Sequence, residues 1–331
     1  MWFERLMGFC EKSPEQVRSK IAVEGKYLVS LANGRRYSFG SLDIPPLSDA
    51  RTQATAALAA ASGAIQLREE VADVKALHRD PANAGALFQV ASQFNLLEMV
   101  SPDVTPEEGV SRYELDRTQG PACAVAAGAG TIYRNYFHPV NGRPGQTHDN
   151  QIDCLADLGQ ALGNDHSSLW QMRNGYALPT EMGLKEIDQK IARADPDEQD
   201  TLRQLLRVGI QRNTQVTLDD ANHRVAQVYC SAVPVTYSGL PDDLWERFAR
   251  LVLEAAYEAT LLAGIINAAN SGNRRVYLTL LGGGAFGNRK KWIIDAMARA
   301  LSLCRNMPLD VVVVSYGHSD ADVQRLVAGF S

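Results

Sequence analysis

The chain has 331 residues, enough to bury a large core as one big domain or two small ones. Its apolar content of 45% and charged content of 21% belong to an ordinary globular protein. A net charge of -5 and a pI near 5.7 exclude a general nucleic-acid binder, which needs a basic surface to displace counterions. No apolar run is read as membrane-spanning, and Met1-Trp2-Phe3-Glu4-Arg5 lacks the basic start and apolar middle of a signal peptide. Cys10, Cys123, Cys154, Cys230 and Cys304 are scattered without a CxxC pair, which points to reduced thiols and no zinc site. The expected compartment is a cytosol, either the cell's own or that of a host reached without a cleaved signal.

The first segment, with Trp2, Phe3, Leu6 and Met7, has helical spacing. Two short apolar runs, 26–31 and 36–39, flank Asn33-Gly34 and predict a hairpin, which Pro45-Pro46 closes off. Alanine-rich helical pattern is read from Ser48 to His78. Residues 1–80 are therefore expected to form an extension of helix, hairpin and helix packed on a core spanning 81–331.

That core opens with a buried strand over 86–92, leading into Gln93, Phe94 and Asn95. Amides just beyond a buried strand are well placed to meet a ligand in an open α/β sheet, and equally serve as turn caps. Residues Thr118-Gln119-Gly120-Pro121 then form a loop, and Pro121 suits the first turn of a small-residue helix running through Ala122 to Gly130. Residues 138–215 read as a helical insertion. Strands over 225–233 and 309–316 and helices over 241–267 and 290–303 complete an alternation of strand and helix, the pattern of an α/β sheet flanked by helices.

One stretch in this order is unusual. An apolar strand from Val276 breaks into Gly282-Gly283-Gly284-Ala285-Phe286-Gly287-Asn288 before a helix. Glycines let a ligand approach the backbone, whose N–H groups together with a helix N-terminus can receive an anion such as phosphate. The alternative is a tight strand-to-helix turn with no ligand. A dinucleotide-dependent oxidoreductase also uses such a turn. Here the turn lies late in the chain, and Asp310 precedes the following strand where that class needs an acid at the strand's end.

Ala91-Ser92-Gln93-Phe94-Asn95, the segment 117–136 and the loop 281–288, in this order across residues 86–316, resemble a macrodomain, the ADP-ribose-binding fold. Within it they are most similar to the divergent MavL-type group, related in fold to poly(ADP-ribose) glycohydrolases and acting on ADP-ribosylated arginine, including that of ubiquitin. The resemblance implies a three-layer α/β/α sandwich with a mixed sheet and no cofactor. It also implies ADP-ribose contacts from Gln93, Phe94, Asn95, Thr118, Gln119, Gly120, Ala122 and Gly282 to Asn288 (Gly282, Gly283, Gly284, Ala285, Phe286, Gly287, Asn288). The chain departs from the glycohydrolases at Thr131-Ile132-Tyr133, where they carry paired glutamates. Removal of mono-ADP-ribose from a protein side chain is the expected activity, and binding of ADP-ribose without turnover is the alternative.

Cleavage at the ribose C1″ passes through an oxocarbenium-like centre, which a carboxylate can stabilise or supply with water. The paired Asp219 and Asp220 before the 225 strand rank first as catalytic candidates, then Asp116 before the small-residue loop, then Asp153. His223 near the Asp pair reads as a surface histidine that could also orient a substrate, and His138, His148 and His166 have no metal-ligand spacing.

Overall fold

The structure, a computed structural model, describes residues 1–58, 62–219 and 221–330. Its centre is a seven-stranded sheet. Numbered in chain order, the strands are β1 (Ser41–Asp43), β2 (Gln66–Val71), β3 (Leu87–Ala91), β4 (Gly209–Gln215), β5 (Arg224–Cys230), β6 (Arg275–Leu278) and β7 (Asp310–Ser315). Across the sheet the order is β1-β4-β5-β3-β6-β7-β2. The pairs from β5 to β2 are parallel, while β4 runs antiparallel to both β1 and β5. The mixed α/β/α sandwich expected from the sequence is the architecture found.

Side-chain alternation along the strands divides the core into two layers. Val311 and Val313 point into the larger cluster with Leu87, Val228 and Val276, while Val312 joins Phe88, Tyr277 and Leu77 on the other face. The larger cluster is capped by the 30-residue helix Asp242–Ser271, packed against helices Leu47–Leu58, Glu181–Arg193, Pro196–Gln204 and Lys290–Leu303. By length and mean hydropathy of 1.4 this helix could cross a membrane, a run the sequence reading passed over; 89% of its apolar window is buried within the fold, which marks it as a core helix. Arg51 and Arg299 tie four helices of this layer together by bonding both Asp200 and Glu258. The opposite face carries helices Val74–Arg79, Gln119–Ala126 and Gly128–Tyr136.

Residues 1–80 do more than pack on the core. The expected helix and hairpin are present, with Trp2, Phe3, Leu6 and Met7 buried against Val125, Ala129, Ile132 and Tyr136. Among the described residues of the expected helix over 48–78, however, helix is found at Leu47–Leu58 and Val74–Arg79, and the segment between them supplies β2. Together with β1 this puts both edges of the central sheet inside the expected extension. The insertion likewise ends earlier than expected, because Gly209–Gln215 is strand β4. It also contains a hairpin, Trp170–Arg173 with Tyr176–Pro179, beside its helices.

His78 is fully buried beneath this second layer, stacked on Phe88 at 3.8 Å between ring centroids. Gln227 donates to His78 Nε2 (3.1 Å), which leaves Nδ1–H to donate to the Val74 carbonyl (2.8 Å). Burial, with His223 adding to it, lowers the His78 pKa to about 4. The neutral ring is thus the folded form, and between the ordinary value of 6.5 and about 4 the unfolded chain binds the extra proton. Stability is expected to fall as pH drops through that window, by about 3 kcal/mol at its lower end. Urea midpoints measured at pH 7, 6 and 5 check this, and His78→Phe should flatten the slope.

Candidate functional site

Strands β3 and β6 pair at Leu87–Val276 and Phe88–Tyr277, and beyond these two pairs their ladder ends. The gap opens at the C-terminal ends of the parallel strands, where open α/β sheets bind ligands. Two glutamine side chains bridge it. Gln119 accepts from Ala91 N–H (2.9 Å) and donates to the Gln89 carbonyl (2.7 Å), while Gln89 accepts from Thr279 N–H (3.2 Å). Above them lies a cleft of ≈ 760 Å³ walled by Ser92, Gln93, Glu98 and Met99, by Asp116 and residues 118–121, and by residues 279–282 and 284–286. A neighbouring hollow of ≈ 850 Å³ shares Thr118, Gln119, Thr279 and Gly284 with it, and adds Asp73, Val74, Phe88, Ala122, Tyr277 and Val314.

The glycine-rich loop forms the wall on the β6 side. Gly282 has φ 75, and a Cβ on it would collide with Ala232. Asn288 pins the loop from beneath, its N–H donating to the Gly282 carbonyl (2.9 Å) and its side-chain amide to the Val233 carbonyl (2.8 Å). The backbone N–H groups of Gly282, Gly284, Ala285 and Phe286 donate to no acceptor among the described residues, and all four residues line the cleft. Such a row of free N–H groups ahead of the helix Lys290–Leu303 is an anion nest. Gly283 and Gly287 shape the turn without lining the cleft. The rings of Phe286, Tyr176 and Tyr237 meet at centroid distances of 5.0 to 5.7 Å and close this end.

The same cleft is lined by Glu98, which no sequence motif singled out. It is 5% exposed, and its Oε1 is buried without a hydrogen-bond partner. Burial holds the carboxyl well above its ordinary pKa; Arg134 opposes that shift and Asp116 adds to it. The loop presenting it is held rigidly. Gln93 accepts from Met99 N–H (2.8 Å) and donates to the Met99 carbonyl (3.1 Å), and the Glu98 N–H donates to Tyr113 Oη (3.0 Å). Leu96 within this loop has φ 64, a strained left-handed conformation for a buried leucine. Gly120 lies so close that a Cβ would meet both the Ala91 carbonyl oxygen and Glu98 Oε2.

Asp116 lines the same cleft as Glu98. Its Oδ1 accepts from both the N–H (2.8 Å) and the hydroxyl (2.7 Å) of Thr118, which caps the Gln119–Ala126 helix. Two carboxyl groups therefore share one wall, one of them buried and desolvated.

The other expected site residues divide. Thr118, Gln119, Gly120, Gly282, Gly284, Ala285, Phe286 and Gln93 reach the cleft, and Ala122 reaches the adjoining hollow. Phe94 does not: it is buried in the larger core cluster. Asn95 is likewise turned inward, donating to Gln151 (2.8 Å) and accepting from Leu97 N–H (3.1 Å), so it caps the turn that carries Glu98. Asp219 lies at the opposite end of the sheet, ahead of β5, and pairs with Arg79 at 2.7 Å with both side chains largely exposed. The structure thus removes it from the cleft. Asp220 lies outside the described residues. Asp153 caps its own helical turn by accepting from Leu155 N–H (2.8 Å) and does not line the cleft. Among the described residues no group of three His, Cys, Asp or Glu side chains converges as metal ligands.

No protein-family model and no curated protein matches the chain. Solved structures with a related shape include poly(ADP-ribose) glycohydrolases. That of Thermomonospora curvata is 14% identical with a TM-score of 0.44, covering 96% of each chain. The apo enzyme of Deinococcus radiodurans is 11% identical with a TM-score of 0.46, covering 88% of this chain and 93% of that one. A complex of the Deinococcus radiodurans enzyme with ADP-ribose has a TM-score of 0.45 at 11% identity, covering 87% of this chain and 92% of that one. The roles of residues in this chain rest on its own geometry.

Gly120→Ala would force the Ala91 strand end and the Glu98 carboxyl apart. It is expected to cost about 1–3 kcal/mol of stability. Urea unfolding of the native chain and the variant measures this; an unchanged midpoint would show that the close contact at Gly120 does not constrain the Glu98 loop.

Proposed function

We propose that the chain is an ADP-ribosyl hydrolase that cleaves the glycosidic bond at C1″ of ribose attached to a protein side chain, with Glu98 and Asp116 as the working carboxyls. The observation that carries this reading is the buried Glu98 carboxyl, one oxygen unpartnered, facing a cleft whose far wall is an anion nest. Buried titratable groups in clefts beside ligand-ready backbone are where catalytic acids are found.

The N–H groups of Gly282, Gly284, Ala285 and Phe286 take the diphosphate, and the mostly apolar hollow lined by Val74, Phe88, Ala122 and Val314 takes the adenosine. The distal ribose then lies toward Glu98 and Asp116. Because burial keeps Glu98 protonated, it serves as general acid: its proton passes to the leaving nitrogen as the C1″–N bond breaks. Asp116, oriented by Thr118, faces the oxocarbenium-like centre and takes a proton from the water whose oxygen bonds to C1″. One water is consumed, and ADP-ribose and the free side chain are released. Arginine as acceptor, with ubiquitin among the modified proteins, is the finer reading that the sequence resemblance supports.

Glu98→Gln is expected to lower kcat/KM for arginine-ADP-ribosylated protein by at least about 100-fold, leaving ADP-ribose affinity within about threefold. In the native protein, activity should fall as pH rises through the raised Glu98 pKa, and the variant should lose that limb. The sign for stability is opposite to that of an ion-paired acid: ionising a carboxyl whose folded pKa is raised disfavours the folded state as pH rises. Glu98→Gln should accordingly raise the melting temperature at pH 8. Wild-type turnover in Glu98→Gln would remove Glu98 from the mechanism, and binding of ADP-ribose without release by the native protein would leave only a binding module.

A further inference from the structure

Beside the cleft runs a second groove of ≈ 870 Å³, walled by Met99, Val100, Val104 and Leu115 and edged by Glu108 and Arg112. It shares Glu98, Met99, Val100 and Asp116 with the cleft, so the two carboxyls stand at the junction of the two spaces. We infer that this groove receives the polypeptide bearing the modified side chain and favours an apolar residue beside the modified one. The inference rests on the hydrolase reading above and names the substrate class for the same site.

The position of the carboxyls sets the direction. A bond broken at Glu98 and Asp116 separates what lies on the nest side from what lies on the groove side. The nest of free N–H groups suits the diphosphate, so the leaving group must extend along the groove. What leaves can then be read from the groove's chemistry. If the leaving group were the rest of an ADP-ribose polymer, its diphosphates would need a surplus of positive charge. The groove has none: Arg112 and Arg117 stand against Glu108 and Asp116, and the walls between are apolar. Val100 and Leu115 are each 66% exposed, so they project into solvent without serving the core. Apolar side chains held out beside a polar reaction centre suit a polypeptide with an apolar residue near the scissile bond.

The groove is also preformed. Glu11 accepts from the N–H groups of Val110 (3.0 Å) and Ser111 and from the Tyr136 hydroxyl (2.6 Å), fastening its floor to the helix Gly128–Tyr136. Glu114 accepts from Trp2 N–H (2.9 Å) and pairs with Arg5, fastening the next turn to the N-terminal helix. A wall held this firmly loses little entropy when it binds a chain.

The test uses the full chain with four substrates: ADP-ribosylarginine, a peptide carrying ADP-ribosylarginine next to leucine, the same peptide with serine in place of leucine, and poly(ADP-ribose). The native protein is expected to cleave the leucine peptide with kcat/KM at least tenfold above the serine peptide. Leu115→Asp, at an exposed position, should erase that preference, read as the ratio of the two peptides' kcat/KM within the variant. A preference that survives Leu115→Asp, equal use of both peptides, or faster cleavage of poly(ADP-ribose) would overturn the inference while leaving the hydrolase reading intact. A native protein that cleaves none of the four overturns the hydrolase reading and this inference with it.

Discussion

The site depends on a ladder that stops. Parallel strands satisfy each other's backbone groups, and a ladder broken inside a core leaves N–H and C=O groups orphaned at about 1–3 kcal/mol each. Here β3 and β6 part after two residue pairs, and side-chain amides take over the missing bonds. Gln119 supplies both a donor and an acceptor to β3, and Gln89 reaches from β3 to Thr279 just beyond β6 and to Thr260 in the helix Asp242–Ser271. The substitution does two things at once. It holds the strands apart, which makes the cleft, and it fixes the start of the helix Gln119–Ala126 at the cleft's edge, which brings Thr118 and Asp116 into place.

On that frame sits a carboxyl that no folding argument favours. Burying Glu98 with an oxygen unpartnered is costly, and the fold holds it by restraining everything around it. Gln93 clasps Met99, Asn95 caps Leu97, and Tyr113 receives the Glu98 N–H. Arg134, itself fully buried, donates to the Leu96 carbonyl and lies with its guanidinium 3.6 Å from the Tyr229 ring centroid. Its positive charge offsets part of the burial penalty on Glu98. The amides at 93 and 95, read from sequence as ligand contacts or turn caps, act mainly in the second way, and the object they cap is the loop that carries the acid.

Strands β3, β5, β6 and β7, the long helix and the glycine loop were legible because each writes a local pattern: β-branched runs, helical spacing, and glycines between a strand and a helix. Strand β2 was not, because Gln66-Leu67-Arg68-Glu69-Glu70-Val71 is an edge strand whose charges are used sideways. Arg68 pairs with Asp310, and Glu69 accepts from the Ser315 hydroxyl and the Asp320 N–H. Glu98 left a fainter trace. A single acid between Leu96, Leu97, Met99 and Val100 signals a buried carboxyl, since acids are seldom set alone in an apolar run. What no local pattern gives is that Gly120, 22 positions on, is the residue that leaves room for it.

Strand direction explains why Asp219 stands away from the cleft. In a parallel sheet the loops preceding the strands lie together at one end, and the loops following them lie at the other. Ala91, Cys230 and Leu278 all end their strands on the cleft side, whereas Asp219 comes before β5 and so falls at the far side with Arg79. An acid can serve this cleft only if it follows a parallel strand or stands on an element that packs across the strand ends. Glu98 meets the first condition by following β3. Asp116 meets the second, carried by the segment that Glu11 and Glu114 fasten to the rest of the fold. The N-terminal residues thus shape the cleft without lining it, by fixing where the second carboxyl stands.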